Sequence, residues 1–112
     1  MLQSDIITII EKTAPLSLMA EWDRSGVQVA SPRKEIRHLA VCLDPAPEQM
    51  AAAVEHGADM VLTHHPLAMR AEWANRLNGY TEVLRTLYRR RAALFQPHLA
   101  GRQSPWPQRL AA

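Results

Sequence analysis

The chain has 112 residues, a formal net charge of +2 and a mean hydropathy of −0.22. This length fits one domain or part of one, the charge is too small to predict nucleic-acid binding, and no apolar run approaches the roughly 20 residues that cross a bilayer. Charged residues interrupt the apolar N-terminal segment, so no signal peptide is predicted. We therefore expect a soluble, cytoplasmic protein that binds neither nucleic acid nor membranes.

Predicted helices and strands alternate along the chain. Apolar residues at helical spacing, short apolar runs, and prolines and glycines that end elements set the boundaries. Predicted helices cover residues 4–13, a segment from Pro47 to a stop at Gly57, and residues 81–91. Predicted strands cover residues 27–30, 36–44, 60–62 and 92–95. The strand at 36–44 contains five consecutive apolar residues, which predicts the central position in the sheet.

The spacing of strand, helix and strand between residues 36 and 62 is typical of a parallel βαβ unit with a right-handed crossover. We therefore predict an α/β fold, with βαβ units whose parallel or mixed sheet is flanked by helices. From Gln96 onward neither the helical nor the strand period is present. Residues 1–95 are accordingly predicted to carry the fold, and residues 96–112 to form an irregular tail.

Two adjacent histidines, His64 and His65, follow the predicted strand at 60–62, and Pro66 stops that strand. Ligands of open α/β sheets bind outside the carboxyl ends of the strands, and neutral imidazole is a ligand for zinc, iron, nickel or copper. Neighbouring strand residues point to opposite faces, so the two rings converge only if the strand ends here. Two ligands do not close a metal site. The alternative is that one histidine caps the next segment and the other is solvated.

Other polar or reactive residues have structural interpretations. Cys42, the single cysteine, lies in an apolar run, which favours a buried core thiol over a reactive one and excludes an internal disulfide. Arg85 and the run 89–91 are interpreted as a solvated helix end. His38 and His56 are expected to be solvated. Asp44 either supports a site at the strand ends or caps the helix near Pro47.

Three strings occur in a fixed order: Ala-Glu-Trp-Asp-Arg-Ser-Gly-Val-Gln-Val (20–29), Val-Cys-Leu-Asp-Pro-Ala-Pro-Glu (41–48) and Glu-His-Gly-Ala-Asp-Met-Val-Leu-Thr-His-His-Pro-Leu (55–67). Together they resemble the N-terminal half of the NIF-three-like family, whose members are labelled in many genomes as GTP cyclohydrolase 1 type 2 homologues. The family pattern reads EWDNxGLQVG, then a strand with an Asp near its end, then GADLIITHHPL. Arg24 replaces its Asn and Ala30 its last Gly. The resemblance covers about residues 4–95 and implies the N-terminal half of a larger fold.

The resemblance implies a site for two divalent metal ions, such as zinc, iron, manganese or nickel, with His64 and His65 among five ligands. The third family ligand is the Asp of an H-x-x-x-D motif. Here His98 matches the histidine of that motif, but Arg102 stands where the Asp belongs. The remaining ligands, a His and a Glu, lie further downstream in the family. The resemblance therefore implies a truncated chain with an incomplete site, and the family's assembly implies a homo-oligomer.

The family also places the loop that contains Asp23 near the metal cavity. The alternative for Asp23 is a turn residue that bonds its own backbone. Trp22 beside it is interpreted as a core anchor rather than a substrate platform.

The tail has a further interpretation at the level of the gene. A +1 shift in reading frame near codon 95 permits the string Phe-Ser-His-Thr-Ser-Leu-Asp-Ala-Asn-Pro, which contains the family's H-x-x-x-D motif. We interpret the tail as frameshifted on this ground. Codon degeneracy makes each residue permitted rather than required, so chance agreement is the alternative.

Three functions follow from these observations. The first is a metal-dependent hydrolase in which bound cations activate a water molecule against a small-molecule or nucleotide substrate. The second is a metal-binding or interaction protein without catalysis, and the third is a fragment without function. The sequence does not identify a catalytic residue and leaves open whether the chain is an enzyme.

Overall fold

The computed structural model describes residues 1–13, 25–68 and 72–97. The helices in these ranges are α1 (Gln3–Thr13), α2 (Pro47–Glu55) and α3 (Gly79–Arg90). The strands are β1 (Gly26–Val29), β2 (Leu39–Cys42), β3 (Met60–Thr63) and β4 (Ala93–Gln96). Every predicted helix and strand is present, with its ends displaced by at most three residues. No described helix has both the length and the apolarity needed to cross a bilayer.

The described strands form one mixed sheet in the order β1-β4-β3-β2. Strands β2, β3 and β4 are parallel, and β1 pairs antiparallel with β4. The predicted βαβ unit is therefore confirmed in β2, α2 and β3, and α3 makes the second connection, from β3 to β4. Three consecutive strands consequently end at the same edge of the sheet.

Helices cover both faces of the sheet. On one face α2 and α3 pack against Val61 of β3 and Leu94 of β4, in a core that also contains Met50 and Leu87. On the other face Ile6 of α1 belongs to a second core; its other buried members are Ile36, Met60, Ala93 and Phe95. Successive residues of β3 and β4 thus alternate between two apolar layers, as expected for central parallel strands.

The predicted position of β2 is wrong. It lies at the edge of the described sheet, and β3 and β4 are its central strands. Val41 is 76% exposed and Leu43 59% exposed, although both belong to the apolar run that predicted a central strand. An apolar run shows that a strand can be buried on both faces, but it does not say which neighbours are present.

The carboxylate of Asp59 lies at the amino end of β3. It organises the end of the sheet opposite to the one where the parallel strands finish. Asp59 is only 3% exposed. Its Oδ2 accepts hydrogen bonds from the backbone N–H groups of Arg37 (3.0 Å) and His38 (3.2 Å). Its Oδ1 lies 3.1 Å from Nη2 of Arg90 and 3.4 Å from Nη1 of Arg33. One carboxylate therefore joins the start of β3 to the segment before β2 and to the end of α3.

This cluster corrects the interpretation of the arginine-rich end of α3. Arg90 is not merely solvated, because its guanidinium binds Asp59 and donates to the carbonyl of Gly57 at 3.0 Å. Gly57 has a φ of +87°, which favours glycine, and it follows the end of α2 as predicted. Arg90 thus holds the α2–β3 turn against α3.

Several predictions fall partly or wholly outside the described residues. Trp22, Asp23 and Arg24 lie in the gap between α1 and β1, and His98 and Arg102 lie beyond residue 97. The predicted tail begins at Gln96, which the structure places at the end of β4. The strand therefore runs one residue beyond the predicted boundary.

The first prediction concerns Asp59. Burial alone would raise the pKa of its carboxyl group, but the hydrogen bonds from Arg37 and His38 and the charges of Arg33 and Arg90 outweigh it, so the net pKa is lowered. We expect Asp59→Asn to reduce the free energy of unfolding by about 2 kcal/mol near neutral pH, measured by urea denaturation. The arginines are partly exposed, which keeps this figure below that for a fully buried pair.

The same carboxylate predicts a pH dependence. Because the folded-state pKa lies below the ordinary value of 3.8, the stabilisation is complete above that value and is lost as the pH falls through the folded-state pKa. The difference between wild type and Asp59→Asn should therefore shrink in acid. A difference that stays constant throughout the acid range would contradict this account of Asp59.

The second prediction concerns the exposed apolar edge formed by β2 and Leu43. Exposed apolar edge strands promote association between chains, and a lysine on such a strand opposes it. We expect wild-type protein to self-associate with rising concentration and Val41→Lys to do so less, as measured by sedimentation velocity. Ala51→Lys, at an exposed position of α2, adds the same charge elsewhere and serves as the control. A wild type that stays monomeric at every concentration would show that this edge is not adhesive.

Candidate metal site

The polar groups of the candidate site follow the carboxyl ends of parallel strands. Strand β2 ends at Cys42 and β3 at Thr63, and these two residues are paired in the sheet. Asp44 lies two residues after β2, and His64 and His65 come directly after β3. Parallel strands present their carboxyl ends at one edge, which is where open α/β sheets bind ligands.

The backbone of the histidine pair is held in place on both sides. The N–H of His64 donates to the carbonyl of Cys42 (3.3 Å), and the N–H of His65 donates to that of Leu43 (3.1 Å). The hydroxyl of the buried Thr63 donates to the carbonyl of His65 at 2.8 Å. Nε2 of Gln96 donates to the carbonyl of His64 at 2.7 Å. The turn that carries both rings is therefore fixed by β2, β3 and β4.

The two imidazole rings lie side by side. Their centroids are 4.9 Å apart, and their planes are inclined by 65°. Both residues are half-buried. The strand does end before the pair, and the two rings are in edge-to-face contact.

Asp44 fixes the orientation of the His65 ring. Its Oδ1 contacts Nδ1 of His65. A carboxylate only accepts hydrogen bonds, so Nδ1 carries the proton and Nε2 of the neutral ring keeps its lone pair. The N–H of Asp44 in turn donates to Oε1 of Gln49 on α2 at 3.1 Å. Of the two roles left open by the sequence, the structure shows Asp44 supporting the histidine. The N-cap of α2 is Ala46, which makes no capping bond with its side chain.

The surroundings of His64 favour the neutral form of its ring. Burial lowers the pKa of its imidazole, the neighbouring His65 lowers it further, and the negative charge of Asp44 partly opposes both effects. A neutral imidazole has a lone pair for a cation or a proton donor. The surroundings of His64 thus favour the form of the ring that carries a lone pair.

The described donor set is small. Among the described residues, no group of three or more His, Cys, Asp and Glu side chains comes together in a way that could hold a metal ion. The histidine pair with Asp44 is therefore an open arrangement, with one of its three groups already engaged in orienting another.

The remaining candidate residues lie elsewhere. His38 and His56 are exposed, as predicted, and line a groove of about 610 Å³ between β2 and α2. Cys42 faces the same groove, and partial burial raises the pKa of its thiol, in line with an unreactive cysteine.

Sequence reasoning missed two glutamines. Gln96 falls in the predicted irregular tail, yet its amide bonds to the backbone carbonyl of His64. Gln28 of β1 accepts a hydrogen bond from the N–H of Leu67 at 2.9 Å and so holds the segment after Pro66. Gln96 could have been found from its position after the predicted strand 92–95, because a third parallel strand ends beside the strand that precedes His64.

Comparisons with known proteins agree with this architecture. The sequence model of the family Duf34/NIF3 (NGG1p interacting factor 3) matches residues 1–101. A relative from Clostridium perfringens, named GTP cyclohydrolase 1 type 2 homolog, is 42% identical over 67 residues, which are 60% of this chain and 26% of the relative. A relative of the same name from Streptomyces coelicolor is 31% identical over 96 residues, which are 85% of this chain and 34% of the relative. The chain thus spans about a third or less of the length of these curated relatives.

Solved structures show the same fold. Reduced HcgD from Methanocaldococcus jannaschii matches with a TM-score of 0.81 at 31% identity, over 88% of this chain and 40% of that chain. A Bacillus cereus protein related to NIF3 matches with a TM-score of 0.78 at 26% identity, over 88% of this chain and 27% of that chain. The predicted α/β fold is confirmed, and it corresponds to part of a larger family fold.

The third prediction concerns the role of Asp44. Removing the carboxylate in Asp44→Ala should allow the proton of the neutral His65 ring to move between Nδ1 and Nε2. The ¹⁵N chemical shifts of the ring in the metal-free protein, at a pH where the imidazole is neutral, report this directly. We expect Nδ1–H alone in wild type and a mixture of tautomers in the variant. Identical shifts in both proteins would show that Asp44 does not orient His65.

Proposed function

Because the chain belongs to the Duf34/NIF3 family, we propose that it is a divalent-metal-binding protein whose ligands are His64 and His65. The observation that carries this proposal is the close approach of two imidazole rings, with centroids 4.9 Å apart, after the carboxyl ends of parallel strands. Zinc, iron, manganese and nickel all accept imidazole nitrogen, so the donor set does not select one of them.

The residues present fit such an ion. A metal-binding histidine commonly donates its other N–H to a carboxylate, which fixes the ring and raises its basicity. His65 has this arrangement, with Nδ1 on Asp44 and Nε2 left for the ion. The lowered pKa of His64 favours the neutral form of the second ring, which is the form that binds metal.

The affinity should be weak. Structural zinc sites almost always have four protein ligands. Catalytic zinc sites have three, with water or substrate in the open position. The described residues supply two, so water or groups from outside the described residues would complete the coordination. We therefore expect a dissociation constant above about 1 μM for a single chain.

We propose metal-dependent hydrolysis as the finer function. A bound ion would supply Lewis acidity and lower the pKa of a water molecule. The chain's own contribution is to hold the ion on His64 and His65 and to keep the His65 ring in place through Asp44. The relatives named GTP cyclohydrolase 1 type 2 homolog make GTP the first substrate to test, with phosphoesters as the second.

A second candidate is metal binding without catalysis. It is favoured by the small donor set of the described residues, which includes no third ligand at the pair. Turnover of GTP or a phosphoester by the metal-loaded chain, absent in the metal-free chain, would select hydrolysis. Metal binding without such turnover would select the second candidate.

The fourth prediction tests the ligands. The double variant His64→Ala/His65→Ala should lose the divalent ion that the wild type binds, measured by elemental analysis after equilibration with zinc or manganese and by calorimetric titration. The matched control is His38→Ala/His56→Ala, which removes two exposed imidazoles from another part of the surface. It should bind as the wild type does. Full metal stoichiometry in the His64→Ala/His65→Ala variant would refute the assignment.

A further inference from the structure

Gln96 is a buried polar residue beside the histidine pair. It ends β4, where it pairs with Gly26 of β1, and its other neighbour in the sheet is β3. Its side chain reaches the end of β3, because Nε2 donates to the carbonyl of His64 at 2.7 Å. Only 8% of the residue is exposed.

The contact with His64 determines which way the amide faces. A backbone carbonyl only accepts, so the nitrogen of the Gln96 amide must face it and the oxygen must face away. That oxygen, Oε1, is buried and accepts no hydrogen bond from any described residue. Exchanging the two amide atoms would place oxygen against oxygen, so it would not remove the difficulty. Buried acceptors are almost always satisfied, and a bound water or ion is one of the ordinary explanations for one that is not.

We propose that Gln96 belongs to the binding site and that its Oε1 accepts a hydrogen bond from a water molecule in the coordination shell of the ion at His64 and His65. This inference rests on the proposed metal-binding function. Two imidazoles leave several coordination positions to water. A cation makes its water ligands strong hydrogen-bond donors, and a neutral amide oxygen is a suitable acceptor for them. Gln96 would thus hold the pair through Nε2 and contact the ion's shell through Oε1.

The test replaces Gln96 by Glu and measures zinc affinity. The carboxylate keeps the size of the amide and puts a negative charge near the cation, so zinc should bind about tenfold more tightly or better. The substitution also removes the hydrogen bond to His64, which lowers stability without metal. Zinc should therefore raise the melting temperature more in Gln96→Glu than in wild type.

Gln3→Glu is the matched control. Nε2 of Gln3 also donates to backbone carbonyls, those of Arg33 at 2.6 Å and Ser31 at 3.3 Å. Its contacts lie near the Asp59 cluster, at the amino ends of the parallel strands and away from the histidine pair. The substitution removes the same kind of bond and adds the same charge, so zinc affinity should stay at the wild-type value.

Each outcome decides between the two proposals. If the wild type binds zinc and Gln96→Glu binds no more tightly, Gln96 is structural only and the metal function stands. If Gln96→Glu alone binds zinc, Gln96 faces the site and the metal function of the wild-type chain fails. If neither binds, both proposals fail.

Gln96→Met keeps the test decisive if the Glu variant does not fold. It removes both amide atoms at similar size, and we expect a zinc affinity about tenfold lower than that of the wild type. Unchanged affinity in a folded Gln96→Met protein would overturn the role of Gln96.

Discussion

The parallel pairing of β3 with β2 and β4 determines where the polar groups of this chain meet. At the amino end of β3, the buried carboxylate of Asp59 binds Arg33 and Arg90 and so ties the strand to its neighbours. At the carboxyl end, the backbone of His64 is bonded to Cys42 of β2 and that of His65 to Leu43 just after it, and the side chain of Gln96 reaches His64 from β4. A shift of β3 by one residue would break the contacts of Asp59 at one end and those of the histidine pair at the other, because side chains in a strand alternate between faces.

Much of this arrangement was predictable from the sequence. Apolar periodicity gave the helices and strands, and the spacing from residue 36 to residue 62 gave the parallel unit. Because parallel strands end at a common edge, the position of His64 and His65 after β3 could be placed without coordinates. The exposed states of His38 and His56 also followed from their positions at the ends of elements.

The remaining features depend on tertiary partners that no local pattern encodes. The apolar run of β2 would look the same in a central strand, yet β2 is an edge of the described sheet. Arg90 lies in a run of arginines typical of a solvated helix end, and only the buried Asp59 distinguishes it from its neighbours. Gln96 could be recognised only once β4 was known to end beside β3. Asp44 had two local roles open to it, and the position of His65 selects one.

The exposed strand β2 and the small set of metal ligands both occur in a chain that corresponds to only part of the family fold. The chain corresponds to 40% of HcgD and 27% of the Bacillus cereus protein, so the described elements are one part of a larger family fold. A parallel strand is normally covered on both faces, and a metal site normally has at least three protein ligands. β2 lacks full cover and the histidine pair lacks a third described ligand.

The most direct measurement of the central claim is a crystal structure of the protein equilibrated with zinc, in which anomalous scattering locates the ion. The account predicts one ion within about 2.0–2.1 Å of a ring nitrogen of His64 and of Nε2 of His65, with Nδ1 of His65 still on Asp44. An ion bound at His38 and His56 instead, or a histidine pair that stays free of metal at saturating zinc, would contradict it.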